Sequence, residues 1–484
     1  MAAWNAKKTV IPREEMPEHH RLKPSLSWPH LVALGVGAIV GTGILTLTGV
    51  GAAKAGPAVM LSFAIAGVIC ICAALAYAEM ATMIPASGSA YTYTYVVLGE
   101  LLAWIVGWAL ILEYSLVVSA VAVGWSGYAS PLLTGVGFPE WLTHAPTFAG
   151  SLHDGTLHLA TPGLNVPAIF IIALVAGFLI YGIRESATLN AILVVVKVIA
   201  LIVFVAVTLP YFDSSHFHPF MPNGFPSHSV PGPDGNPTQV GVMAAAAIIF
   251  FAFYGFDAIA TAAEETKNPG RDLKIGIVGS MLACVVIYMA VAAAAIGALA
   301  YARFADSPEP LALILREIGQ FGAAKFLAVS AVVALPTVIL AFFYGQSRIF
   351  FVMARDGMIP PGLAKVTGRG SPVRITVFTA IVVAVLAGLI PLADLAALAN
   401  AGTLTAFIAV CVCMLVMRKR APEAERLFRT PWAWPVGIVG ILGCAYLLYS
   451  LPPKTQLWFI GAQLVGIAIY LLYGARKSVA GKEA

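Results

Sequence analysis

Charge is scarce in this 484-residue chain. Only 11% of its residues are Asp, Glu, Lys or Arg, against roughly 25% in soluble domains, and that shortage excludes a soluble enzyme. Cysteine is also sparse. Cys70, Cys72, Cys284, Cys411, Cys413 and Cys444 all fall inside apolar runs, so no disulfide framework can be drawn in the outer loops, and they read as small core residues. Histidine is absent from every apolar run, its positions being 19, 20, 30, 144, 153, 158, 216, 218 and 228. That bears on Gly124-Trp125-Ser126-Gly127, which matches the GxSG form of an intramembrane serine protease: such a serine needs a buried base, and no span supplies a histidine. A basic tract is missing too. The net charge of +5 is spread over loops and tails, so no nucleic-acid partner is expected, and neither is a metal or other cofactor.

What the chain does have is apolar sequence. Sixty per cent of residues are hydrophobic and the mean hydropathy is +0.89, the signature of a protein whose solvent is the lipid bilayer. Runs able to cross at roughly 20 residues each lie near 31–50, 58–84, 100–125, 166–182, 189–209, 240–263, 275–300, 324–352, 375–392, 396–417, 434–451 and 456–474. The expected fold class is an all-α polytopic membrane protein of about twelve spans.

Positive charge orients them. Most of the 28 Lys and Arg residues fall in the tails and loops on the side of the termini, including Arg184, Lys267, Arg271, Lys274 and the Arg418 to Arg429 segment. Lys54, Arg303, Arg316, Lys325 and Lys454 lie opposite. Both termini are therefore expected in the cytoplasm, at the cell membrane. The leader, the first apolar run and Ala53-Lys54-Ala55 imitate a secretory signal. Glu14, Glu15, Glu18 and the glycine-broken run argue instead for a retained first span.

The sequence divides into a polar tail (1–30), a first group of five spans (31–210), an outer loop with a second group (211–418), two peripheral spans (419–475) and a short tail (476–484). Outer loops cover about 130–165 and 210–238; the second is dense in proline and glycine and offers no strand pattern.

The first span is interrupted by Gly35, Gly37, Gly41, Gly43 and Gly49. Unwound backbone persists at membrane depth only where protein buries it or a cavity accepts it, so Gly37 to Ile44 reads as a binding site made of backbone. The sixth span breaks comparably at Phe250 to Asp257, and paired breaks in two five-span halves point to an inverted-repeat carrier. Broken helices expose N–H donors and C=O acceptors of opposite partial charge. Donors near Thr42 and Gly43 suit a carboxylate, and carbonyls of Phe251, Ala252 and Tyr254 suit an ammonium group. An α-amino acid carries both. The plainer alternatives are GxxxG packing at Gly37 and Gly41, a kink at Gly255, and Asp257 as a helix cap rather than a coupling residue.

Lys197 is the one basic residue inside a span. Its position, roughly 12 Å of helix from Leu189, is too deep for easy snorkelling, and a central lysine costs about 2.5–3.5 kcal/mol to insert. Burial penalises its charged form, which makes it a candidate to load and release a proton or to stand in for a sodium ion; the alternative is a static counter-ion. Glu113 is the candidate partner or second proton site. Glu79 reads as a snorkelling or gate-network carboxylate.

Gly37 to Ile44, Pro85 to Glu100, Phe250 to Asp272 and Tyr344 to Pro360, in that order, resemble the amino acid–polyamine–organocation permeases, and among them bacterial relatives of the cationic amino acid transporters. The resemblance runs from about residue 25 to 475. It implies a leucine-transporter-like fold with spans 1–5 and 6–10 as inverted repeats, amino acid transport, and proton coupling. Carried over, Ile39, Thr42 and Gly43 would meet the carboxylate, Phe251, Ala252 and Tyr254 the ammonium; Lys197 matches the sodium-replacing lysine and Glu113 the third-span acid. Where cationic transporters leave space, this chain has Phe342 and Phe343, and Tyr254 replaces a smaller residue. If those rings face the site, they exclude arginine. The remaining alternatives are an exchanger on the same fold and a sensor that binds an amino acid without moving it. An accessory membrane subunit is left open.

Overall fold

With no water in a bilayer core, each segment must satisfy its own backbone N–H and C=O groups, and only a helix does so alone. The computed structural model describes residues 6–8, 26–84, 88–135, 137–149, 158–181, 187–231, 237–261, 266–360 and 373–478; Arg184 and His153 lie outside them. Within these, each apolar run read from the sequence is helical. Ten helical stretches are long and apolar enough to cross a bilayer, and two shorter apolar helices, Val166–Tyr181 and Val373–Leu389, lie between them. The chain is a polytopic, mostly helical membrane protein whose spans are all helices.

In order, the first span comprises α1 (Trp28–Ile39), α2 (Thr42–Leu45) and α3 (Leu47–Ala55), followed by α4 (Val59–Met83), a short helix α5 (Ser89–Val97) and α6 (Glu100–Thr134). An outer hairpin, β1 (Thr147–Ala149) with β2 (His158–Thr161), precedes α7 (Val166–Tyr181) and α8 (Ala187–Thr208). A second hairpin, β3 (His228–Pro231) with β4 (Pro237–Val240), leads into α9 (Val242–Ile249) and α10 (Phe256–Thr261). Then come α11 (Pro269–Lys274), α12 (Ser280–Ala298), α13 (Pro310–Glu317), α14 (Phe321–Arg355), α15 (Val373–Leu389), α16 (Leu392–Arg420), α17 (Ala433–Ser450) and α18 (Pro453–Ile469).

The β3–β4 hairpin corrects the expectation that residues 210–238 hold no strand. Its flanks read as loop because proline and glycine dominate, yet His228 pairs with Val240 and Ser229 with Gln239. Its far strand is tethered to the first span, where Lys54 Nζ donates to the Gln239 carbonyl (2.8 Å). The helices α6 and α14 each run 35 residues, about 52 Å, beyond the expected spans and well past the hydrocarbon core.

These two long helices pack side by side, and a proline helps to join them. Pro336 lies inside α14 and has no N–H to give the carbonyl of Val332, four residues back. Trp125 of α6 supplies the missing donor, its indole Nε1 lying 2.8 Å from Val332 O.

On the face carrying both termini, α5 is a hub. Lys8 Nζ reaches both oxygens of Asp356 at 2.7 Å, and Tyr91 OH donates to the same carboxylate (3.0 Å). The buried Glu100 accepts from Tyr95 OH (3.0 Å), Tyr470 OH (2.8 Å) and Ser478 Oγ. Glu79, expected as a snorkelling or gate carboxylate, is fully buried at the end of α4 and held by Arg418 through two 2.7 Å bonds, Arg426 at 3.2 Å and Thr430 N–H at 2.8 Å.

Candidate functional site

The first span breaks at Val40 and Gly41, inside the predicted Gly37 to Ile44 stretch. Breaking a helix there strips the carbonyls of Gly37 and Ile39 of their usual donors four residues on. Both are filled by side chains from neighbouring helices. Lys197 of α8 donates to Gly37 O at 2.9 Å, and Tyr288 of α12 donates to Ile39 O at 2.7 Å. Lys197 also donates to Thr337 Oγ1 in α14 (3.2 Å), so it joins three helices at the break.

The donors on the other side of the break are not filled. Among the described residues, no acceptor lies within hydrogen-bond reach of the N–H groups of Gly41, Thr42, Gly43 or Ile44. Thr42 is fully buried and its Oγ1 has no partner. Of the four carbonyls the break deprives, Gly37 O and Ile39 O are filled while Ala38 O and Val40 O have no donor among the described residues; all four N–H groups stay open, so the balance lies with donors, the polarity a carboxylate requires.

The sixth span breaks beside it. α9 ends at Ile249, a single 3-10 turn covers Phe250–Phe253, and Gly255 adopts φ +114° before α10 begins. Two glycines let the breaks touch. A Cβ on Gly43 would lie 2.2 Å from Ala252 Cα, and one on Gly255 would lie 2.6 Å from Ala38 Cβ and 2.9 Å from Ile39 N. The predicted residues Ile39, Thr42, Gly43, Phe251, Ala252 and Tyr254 thus share one buried junction. Of the carbonyls proposed for an ammonium group, Phe251 O accepts from Tyr254 N–H at 3.5 Å, and Ala252 O has no donor among the described residues.

The acids occupy different roles from one another. Asp257, in the first turn of α10, accepts from Gly255 N–H (3.2 Å) and from Tyr114 OH (3.1 Å); it lies one residue inside the helix and its bond runs back to Gly255, so it is not the N-cap weighed for it. Glu113 is fully buried on α6, with the Thr403 side chain of α16 beside its carboxylate. The expected pairing of Lys197 with Glu113 is not formed. The broken backbone of the first span competes for the lysine and wins, while Glu113 faces α16, where a Cβ on Gly402 would sit 3.1 Å from its own Cβ. Phe342 and Phe343 are buried in α14, Phe342 edge-on to Tyr114 at 5.3 Å between centroids.

Several contacts at the junction escaped the sequence. Asn400 of α16 donates to Ala247 O (2.6 Å) and Ile248 O (3.0 Å) at the end of α9, and its Oδ1 accepts from Tyr254 OH. Tyr128 OH donates to Leu45 O at 2.6 Å. A polar residue amid an apolar helix was the only available sign of either.

Away from the terminal face the junction is covered. A Cβ on Gly49 would meet the carbonyls of Ala305 and Phe304 at 3.0 and 3.1 Å, and one on Gly127 would meet Pro308 O at 2.9 Å. In the same cover, Arg316 donates to Glu309 at 2.6 Å; burial raises the Glu309 carboxyl above its usual range and Arg316 pulls it back. Ser126 of the GxSG stretch donates to Thr143 O (3.3 Å), a bond that leaves its hydroxyl engaged rather than poised.

A bundle of membrane-crossing helices with two spans broken against each other at its centre defines a carrier, not an enzyme. The chain belongs to the amino acid permease family, whose sequence profile matches residues 26–470. It is 43% identical to a branched-chain amino acid permease, BcaP, of Bacillus subtilis over 94% of both chains. It is 38% identical to the methylthioribose transporter of the same organism over the whole of each chain. A vacuolar cationic amino acid transporter, number 4, of Arabidopsis thaliana is 36% identical over 84% of this chain and 65% of its own. The protein is a secondary transporter.

Proposed function

We propose that this transporter takes up a compact neutral L-amino acid together with a proton, by alternating access around the paired breaks, with both termini in the cytoplasm of a cell whose plasma membrane it spans. The observation that carries this reading is the asymmetry of the first break: two of its four freed carbonyls are taken by Lys197 and Tyr288, whereas all four N–H groups and Thr42 Oγ1 remain for a carboxylate. Methylthioribose, the cargo in the name of one relative, has no carboxylate to place there. A branched-chain amino acid, named for another, has one, and its short side chain needs less room than arginine beside the aromatic Phe251 and Tyr254.

Proton coupling would run through Lys197. As an ammonium it donates to Gly37 and Thr337 and holds α1, α8 and α14 together; once deprotonated it has lost the charge that strengthens both bonds, and the three helices are freer to part. Glu113, buried and without a basic partner among the described residues, is the second proton site. Uptake of labelled L-leucine into proteoliposomes under an inward proton gradient tests this. Lys197→Ala should abolish accumulation driven by the gradient, and unaltered accumulation would refute the coupling role. Exchange of internal for external leucine without any gradient would favour an antiporter.

A further inference from the structure

Asn400 is fully buried in α16, and each of its polar atoms is engaged with the sixth span. The amide Nδ2 donates to Ala247 O, stranded because α9 stops at Ile249, and to Ile248 O, which the Phe250 N–H also reaches. The amide oxygen accepts the hydroxyl of Tyr254, on the far side of the 3-10 turn. These partners set the orientation of the amide, since two carbonyls demand its N–H groups and leave the oxygen for the phenol. One side chain of a neighbouring helix thus grips both flanks of the break.

The grip acts on a particular ring. Tyr254 stands against Phe250 edge-on at 6.1 Å and Phe251 at 5.0 Å between centroids, and its backbone is extended (ψ 156°) just before Gly255. Nothing in that local backbone fixes the ring; the stacking contacts and the hydroxyl's bonds to Asn400 and to Thr403, both on α16, do.

We propose that Asn400 is a positioning residue for substrate selection: by anchoring the Tyr254 hydroxyl, it holds the ring as a fixed wall of the side-chain pocket, which admits a compact aliphatic side chain and turns away a long cationic one. The inference rests on the amino acid reading above. Asn400 itself touches no substrate in this account. Its two carbonyl bonds stabilise the break, and its third bond sets selectivity, so the two effects are separable by substitution.

Tyr254→Phe keeps the ring and the carbonyl bonds and deletes the hydroxyl's bonds to Asn400 and Thr403; Asn400→Ala deletes all three Asn400 bonds and leaves Thr403 in place. Purified wild type and variants are compared in proteoliposomes for L-leucine uptake, for inhibition of that uptake by L-arginine, and for thermal unfolding. Loss of the hydroxyl's buried hydrogen bonds is expected to raise the leucine KM roughly fivefold in Tyr254→Phe, more than it lowers the maximal rate, and to let arginine compete. Asn400→Ala should change selectivity in the same direction with a lower melting temperature, and the double variant should be no less selective than Tyr254→Phe alone. Wild-type KM and wild-type exclusion of arginine in Tyr254→Phe would overturn the inference, as would a melting-temperature loss in Asn400→Ala without any change in selectivity. Wild type that neither transports nor is stabilised by any L-amino acid would overturn the functional reading as well, and the two failures are thereby told apart.

Discussion

Among the glycines of the first span, Gly41 and Gly43 stand two residues apart and differ in what surrounds them. An added Cβ on Gly41 meets Val338 at 3.5 Å, an ordinary contact, and the residue's φ of −143° is open to any side chain. On Gly43 the same atom meets the backbone of Ala252 at 2.2 Å. Gly41→Ala should therefore leave the melting temperature almost unchanged, and Gly43→Ala should destabilise by about 1–3 kcal/mol, the cost of overpacking, while removing the stabilisation that a bound amino acid confers. Equal melting temperatures for the two variants would contradict the close packing of the breaks. Gly255→Ala combines strain at φ +114° with a 2.6 Å approach to Ala38 and should be worse than either.

At the scale of elements, the contact that binds α6 to α14 and the hub at α5 each make a prediction. Trp125→Phe keeps an aromatic ring but leaves Val332 O, freed by Pro336, without its donor; an unsatisfied buried carbonyl costs about 1–3 kcal/mol, readable as a lower melting temperature. No loss would mean that another donor takes over. Tyr95 gathers both tails on α5: its carbonyl accepts from Lys8 N–H at 3.5 Å, and its hydroxyl lies 3.0 Å from Glu100 and 3.2 Å from Ser478 Oγ. Tyr95→Phe should raise amide hydrogen exchange across residues 89–97 several-fold, because the hydroxyl bond holding that helix to Glu100 is gone. Unchanged exchange would show that α5 is held by its apolar packing alone.

For the molecule as a whole, what could be read from the sequence was what depends on neighbours along the chain. The membrane spans follow from apolar runs, and both breaks follow from glycines where a lipid-facing helix has no use for them. The buried polar side chains were harder. Lys197 was recognisable by its depth, but its real partners, Gly37 O and Thr337, lie on two other helices and its expected partner Glu113 faces α16 instead. Asn400 and Tyr288 went unremarked because a single polar residue in an apolar helix has no periodicity to betray it; only the packed bundle shows that each satisfies backbone stranded by a break. The β3–β4 hairpin was hidden by proline at the very positions, Pro231 and Pro237, that pair at its end.

The central claim is that the donors left at the first break hold a substrate carboxylate. Thermal stabilisation of the purified protein by L-leucine, L-leucinamide and isopentylamine tests it directly, since a ligand that binds the folded state raises its melting temperature in proportion to the logarithm of saturation. These share the side chain and the amino group and differ only in the group offered to Gly41, Thr42, Gly43 and Ile44. Stabilisation by leucine, with little from the amide and none from the amine, is the result expected. Equal stabilisation by all three would contradict it.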